Sequence, residues 1–437
     1  MRISIPDSDL HYYLVSFDKT GVERDESAGP QSDELKRLLA DDSEAITDVF
    51  FAVHGWKGDI PAAIDQCNRW MGQMALMQKD RAAIRARVPQ FKALLVGIHW
   101  PSQPWGEESL EDTASESGLL GGDEVSAALV DHYAEAISQT PAAREAIETI
   151  LTGASSGQRR PRLSPEIVEA YDTLLKEAEL WSDEDADDSP LQTQWDAQSV
   201  YADARESGDD SLLLGGNFKD AFLSPLRQIS FWTMKARARV VGEIGVGKLL
   251  RDLQVASGSA VRFHLMGHSF GCIVVSGAIA GAAGAPLVRP VDSALLVQGA
   301  LSLWSYGQVA DDKPGYFQSI VTEKRVRGPI VTTWSTHDGA VGNLYPMAAR
   351  LGRQDTLANY PKFGGVGAYG LQGAGKFAHE IIIGDAAAEY GWQPGQIYNV
   401  ESSRIIANGD GLSGAHSDIA HPEVAHVAWQ AVKSSVG

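Results

Sequence analysis

Short stretches of uninterrupted apolar residues, set among longer helical patterns, constrain this chain most. Val49-Phe-Phe-Ala-Val53 and Ala93-Leu-Leu-Val-Gly-Ile-His99 are too short for buried helices and lack the alternation of a half-exposed strand. Each reads as a strand covered on both faces. Strands of that kind, alternating with helices, build a mostly parallel sheet with helices on both sides. Residues 11–18, 293–298 and 329–335 extend the series, and 402–407 read as the last strand. Helices are expected over 32–40, 61–88 and 422–436. The fold class is α/β.

One further strand ends differently. Val261-Arg-Phe-His-Leu-Met-Gly-His-Ser-Phe-Gly-Cys272 reads as a strand, a tight turn with Ser269 at its apex, and a helix of small residues. Only glycine fits at 267 and 271 if strand and helix nearly touch. The helix that follows aims free N–H groups at the turn, which favours negative charge there. Gly153-Ala-Ser-Ser-Gly157 has the same spacing around Ser155, but it follows a helical pattern with no strand before it and reads as a loop.

In its strand–turn–helix setting, the Ser269 segment resembles the nucleophile elbow of the alpha/beta-hydrolase family, Gly-x-Ser-x-Gly. A serine hydroxyl needs an imidazole to take its proton and a carboxylate to orient that imidazole. His416 lies in Gly411-Leu-Ser-Gly-Ala-His-Ser-Asp-Ile419, between the last strand and the last helix, where the family carries its histidine; His421 is the alternative. Asp338, in Ser335-Thr-His-Asp-Gly-Ala340, follows the 329–335 strand where the family's acid usually lies. Asp311 and Asp312 compete for that role after the preceding strand. The order Ser269, Asp338, His416 is the family's, not that of the other two serine-protease folds. The resemblance also implies an oxyanion hole made of the backbone N–H groups of Phe270 and of Trp56, in His54-Gly-Trp56, each worth about 3 kcal/mol in the transition state. Cys272 departs from the second glycine that many members carry after the elbow.

The resemblance covers 1–104 and 226–437, expected to form an alpha/beta-hydrolase core. About 160 residues separate Trp100 from the elbow strand, far more than a crossover needs. Residues 105–225 therefore read as a helical insertion, a cap or lid over the strand ends, with helices near 123–138, 141–152 and 164–181 and an acidic loop at 182–188. Residues 226–254 read as the helix returning to the sheet, and Trp105 as a pocket residue at the mouth of the insert.

With 57 acidic against 37 basic residues and a formal charge of −20, the surface repels phosphate backbones and anionic lipid. Nucleic acid and stable membrane association are not expected. The N-terminus lacks the apolar core of a secretion signal. The Ala/Gly-rich run 272–288 reads as a buried helix. Cys67 and Cys272 are too few for a disulfide framework; the fold implied puts them on opposite faces of the sheet, so both are expected free, in a soluble cytoplasmic protein.

Three matches to other motifs fail on context. Gly242-Glu-Ile-Gly-Val-Gly-Lys248 fits a phosphate loop until Leu249, and it follows a helix. Gly365-Val-Gly-Ala-Tyr-Gly370 has a loop, not a strand, before it. His416, Asp418 and His421 match no metal-site spacing. The expectation is a serine esterase, free of cofactor and metal, that cleaves small-molecule carboxylic esters through an acyl-enzyme. Its imidazole must be neutral to act, so activity should rise through about pH 6–7. Two other readings share these residues: a catalytically silent hydrolase-fold binding protein, and an amidase, thioesterase or lyase on the same triad.

Overall fold

The apolar runs become strands. The computed structural model describes residues 1–436 except 26–28, 57–59, 103–126, 156–160, 179–194, 208–217, 283–285, 309–312, 345–355, 358–359, 362–363 and 410–412. Among the described residues the strands are β1 (Arg2–Ser4), β2 (His11–Ser16), β3 (Asp48–Val53), β4 (Ala93–His99), β5 (Arg262–His268), β6 (Ser293–Val297), β7 (Ile330–Trp334), β8 (Thr356–Leu357), β9 (Tyr360–Pro361), β10 (Ala378–Ile382) and β11 (Ile397–Glu401). Nine form one sheet in the order β1-β2-β4-β3-β5-β6-β7-β11-β10, while β8 and β9 pair apart. Only the β1–β2 pairing in that sheet is antiparallel.

Parallel strands deliver their following loops to one edge of the sheet, which is where open α/β sheets hold ligands. Val53 pairs with both Ile98 and Gly267, so the segments after β3, β4 and β5 emerge side by side. The loops after β6, β7 and β11 follow on the same edge.

Both faces are covered, as the uninterrupted apolar runs require. Phe50 packs in one core layer with Trp70, Met74 and Trp429, from the helices Ile60–Leu76 and Pro422–Ser435. Phe51 belongs to the opposite layer, with Leu35 of Gln31–Ala40 and Leu250 of Gly247–Ala256. Both rings are fully buried, and each contributes about 1.5–3 kcal/mol through lost apolar exposure. Cys67 and Cys272 are free and lie in different layers, as expected.

At the other edge of the sheet, Asp48 staples three strands together. Its carboxylate accepts from Arg262 Nε at 2.8 Å and Nη2 at 2.6 Å and from Thr47 Oγ1 at 2.6 Å, and it lies 3.0 Å from His264 Nε2. His264 Nδ1 in turn lies 2.8 Å from Ser293 Oγ. Burial pushes the Asp48 carboxyl upward, but His264, Arg262 and Thr47 outweigh it and hold it below its ordinary value.

The insertion is helical where it is described. Ala127–Ala136, Pro141–Ser155, Pro165–Glu177 and Ala197–Ser207 gather beside Phe218–Val240 and share a core layer with the sheet. The helix at 197–207 was not expected. Phe218–Val240 carries Pro225 inside it and passes through the boundary drawn from sequence at 225. A π-helical stretch, Val241–Val246, and the helix Gly247–Ala256 continue it. A Cβ on Gly242 would stand 2.6 Å from the Val274 carbonyl, and one on Gly245 2.6 Å from that of Gly21. The glycines that imitate a phosphate loop thus serve close packing. Ser155 ends a helix rather than lying in a loop, and Gly153 makes room for Ile167 and Phe222.

Other expectations are corrected. The strand expected at 402–407 lies instead at Ile397–Glu401, and the helix expected over 61–88 divides at Met77 into Ile60–Leu76 and Gln78–Arg87. Strands β1 and β10 were not anticipated. No helix among the described residues is long and apolar enough to cross a membrane. Trp105, Asp311, Asp312 and the acidic run 182–188 lie outside the described residues.

Candidate active site

Ser269 occupies the turn between β5 and the helix Gly271–Ala280 with φ of 55°. A non-glycine residue in this left-handed region costs of order 1–3 kcal/mol and persists only where its surroundings impose it. They do so here. The Ser269 N–H donates to Val297 O at 3.1 Å, and its carbonyl accepts from Cys272 N at 3.0 Å and Ala300 N at 3.1 Å. A Cβ on Gly267 would stand 2.5 Å from the Gly271 carbonyl, and one on Gly271 2.4 Å from that of Val53. Backbone contact therefore demands both glycines, Gly267 by the strand–helix approach read from the sequence and Gly271 by the end of the neighbouring strand β3. The departing residue, Cys272, donates its thiol to Gly267 O at 3.1 Å. Burial raises that thiol well above its ordinary value, which leaves it protonated and inert.

The loops after β7 and β11 bring Asp338 and His416 together. His416 Nδ1 lies 2.9 Å from Asp338 Oδ2, with both residues buried. A carboxylate oxygen accepts, so Nδ1 carries a ring proton, and in the neutral imidazole Nε2 then keeps its lone pair. Asp338 Oδ2 also accepts from Gln298 Nε2 at 2.8 Å, and Oδ1 accepts from the Val341 N–H at 2.9 Å. The backbones are docked as well: Asp338 forms an antiparallel bridge with Gly414, and the Ala415 N–H donates to His337 O at 2.8 Å. Gly414 has φ of 51°, and a Cβ there would lie 2.3 Å from the His337 carbonyl.

Sequence reasoning missed Gln298. It directly follows β6, with φ of 47°, and is fully buried. Its Oε1 accepts from Thr333 Oγ1 at 3.1 Å, and its Nε2 reaches Gly367 O at 3.2 Å as well as Asp338. Gly367, from the segment that imitates a dinucleotide fingerprint, would set a Cβ 2.7 Å from Asp338 Oδ2. Its smallness makes room for the acid. A glutamine after a strand carries no motif, so no sequence signal marked it.

The His54-Gly55-Trp56 segment lies against the turn. A Cβ on Gly55 would stand 2.7 Å from Ser269 Cβ and 2.9 Å from His268 Nδ1. His54 braces this segment: its Nε2 accepts from the Trp100 N–H at 3.3 Å, and its Nδ1 donates to Gly55 O at 2.7 Å. Complete burial, with His99 beside it, lowers its pKa to about 3 against the pull of the Gly55 carbonyl, so it is neutral. The Trp56 ring centroid lies 5.8 Å from that of Phe270, and Phe231, from the helix Phe218–Val240, lies 5.1 Å from Phe270. The Phe270 N–H, at the start of the helix Gly271–Ala280, has no backbone acceptor among the described residues.

The alternative base is engaged elsewhere: His421 Nε2 lies 2.7 Å from Asp418 Oδ1. His416 turns instead to Asp338, so His416, Asp418 and His421 do not converge as a ligand set. No family model, curated protein or solved structure matches the chain. The sheet and its flanking helices make this an α/β protein with a mostly parallel nine-stranded sheet.

Proposed function

We propose that the protein is a serine hydrolase of the alpha/beta-hydrolase type that cleaves carboxylic esters. The observation that carries this reading is the 2.9 Å Asp338–His416 contact on the sheet edge that also bears Ser269 at its positive φ. A strand order of β1-β2-β4-β3-β5-β6-β7-β11 with β1 reversed is compatible with that fold. In the reaction, Ser269 Oγ attacks the ester carbonyl carbon while His416 takes the hydroxyl proton on Nε2. The tetrahedral oxyanion receives the N–H groups of Phe270 and Trp56. As it collapses, the C–O bond to the alcohol breaks and His416 returns the proton to the leaving oxygen. Water repeats the cycle on the acyl-serine and releases the acid. Asp338 keeps the imidazole oriented and stabilises its cation.

The described part of the insertion is read as a cap, because its helices pack on the helix Phe218–Val240, whose Phe231 reaches the rings of Phe270 and Trp56. Those rings make an apolar wall that favours an uncharged acyl or alcohol group. The test is labelling by a fluorophosphonate probe alongside turnover of p-nitrophenyl butyrate. General-base help supplies about 10²–10⁴ in rate, so Ser269→Ala and His416→Ala should abolish turnover, and Ser269→Ala should abolish labelling. Retained turnover in both variants overturns the assignment.

A further inference from the structure

Behind Ser269, three hydrogen bonds connect parts of the chain that catalysis must keep in register. Gln66, buried on the helix Ile60–Leu76, accepts from the Gly55 N–H through Oε1 at 3.2 Å. Its Nε2 lies 2.6 Å from His268 Nδ1. His268 Nε2 lies 3.0 Å from the carbonyl oxygen of His416.

The direction of every bond in this chain is forced. A backbone N–H can only donate, so Gly55 holds the Gln66 amide oxygen on its own side and leaves the amide nitrogen facing His268. A carbonyl can only accept, so His416 O fixes the His268 proton on Nε2. Nδ1 then accepts from Gln66. A second proton on His268 would set two donors face to face at Nδ1. Turning the Gln66 amide over would move the same conflict to Gly55. The chain therefore favours a neutral His268, whose ring centroid stands 4.9 Å from that of His416.

We infer that Gln66 and His268 are positioning residues that strap the oxyanion segment and the base-bearing loop to the nucleophile turn. The inference rests on the serine-hydrolase reading above. His268 adjoins Ser269 in sequence, so the strap fixes Gly55 on one side of the turn and the His416 backbone on the other. It also keeps a second positive charge away from the ring that must itself become cationic in the transition state. Displacements of about 1 Å cost about 10²-fold in rate, which sets the scale of what such a strap protects.

Two measurements test it. In the first, kcat and KM for p-nitrophenyl butyrate are compared among wild type, Gln66→Leu, His268→Phe and His268→Gln. Gln66→Leu and His268→Phe should lower kcat by about 10–100-fold with KM little changed. His268→Gln, whose amide can accept from Gln66 and donate to His416, should recover most of the loss. The second is ¹⁵N NMR of the imidazoles, which needs no turnover: wild-type His268 should carry its proton on Nε2 alone at pH 7, and Gln66→Leu should release that tautomer. Unchanged kcat in folded Gln66→Leu and His268→Phe, or no rescue by His268→Gln, overturns the strap. An Nδ1-protonated His268 in wild type does the same even if a variant fails to fold. Wild type that resists a fluorophosphonate refutes the hydrolase reading itself and the strap's role with it, whereas labelled wild type with indifferent variants refutes the strap alone.

Discussion

Replacing Asp338 by asparagine isolates the charge of the orienting group from its shape. The carboxylate receives three donors: His416 Nδ1–H and the Gln298 amide at Oδ2, and the Val341 N–H at Oδ1. An asparagine side chain has one oxygen for these two positions. The lesser conflict puts its nitrogen at Oδ1, where it faces only Val341 and forfeits one buried hydrogen bond at a cost of about 1–3 kcal/mol in stability. Orientation of His416 then survives, but the negative charge beside its cation does not. Coulomb's law at the observed 2.9 Å, with an effective dielectric constant of about 20, gives about 6 kcal/mol. That corresponds to about four powers of ten in kcat. The assay is p-nitrophenyl ester hydrolysis from pH 5 to 9, paired with thermal unfolding to confirm that the variant is folded. A folded Asp338→Asn protein that loses less than about tenfold in kcat would show that His416 does not work against this carboxylate.

Three other perturbations follow from the geometry. Gly414→Ala sets a methyl 2.3 Å from the His337 carbonyl in left-handed backbone; it should cost activity by about 10²-fold or more, measured against an unshifted secondary-structure spectrum. Asp48→Ala leaves Arg262 and His264 without their shared carboxylate and should destabilise by about 3–5 kcal/mol in denaturant titration, as removal of one partner of a buried pair does. His426 is buried and loses affinity for its proton on that account, but Asp80 at 2.9 Å and the Ala388 carbonyl at 2.7 Å outweigh this and raise its pKa. With the folded value above the unfolded one, its contribution is complete below the unfolded value of about 6.5 and is lost as pH rises through the raised value. The difference in Tm between wild type and His426→Ala should therefore be largest near pH 5–6 and shrink toward pH 9.

The elbow was legible because part of its constraint is steric and local: Gly267 meets the Gly271 carbonyl within the turn, although Gly271 itself is demanded by the Val53 and His54 carbonyls at the end of the neighbouring strand β3. The 402–407 strand was misplaced because the real strand, Ile397-Tyr-Asn-Val-Glu401, carries Asn399 in its middle. That residue is fully buried, and both ends of its amide are satisfied by the Leu371 backbone at 2.8 Å, a tertiary contact with no sequence signature. Strand β10 escaped notice because its side chains are mostly exposed on the sheet's outer edge, so no apolar run marks it. The break at Met77 has no proline or glycine to announce it; Arg81 Nη1 closes the preceding helix by donating to Ala75 O at 2.9 Å. Gln66 and Gln298 stayed hidden for the same reason as Asn399. An amide declares its purpose only through the groups it joins, and these come from distant parts of the chain.

The long helix that passes through Pro225 belongs to two neighbourhoods at once, with Phe222 against Tyr201 of the inserted helices and Phe231 against Phe270 beside the nucleophile turn. Arg237 reinforces the join by donating to the carbonyls of Pro101, Glu135 and Ala136. Swinging the inserted helices outward would tear the ties to Glu135 and Ala136. Nor is the segment detachable at 225, where excision would sever a helix within its span. Evolutionary shortening of this region would have to spare that helix even where it discarded everything ahead of it.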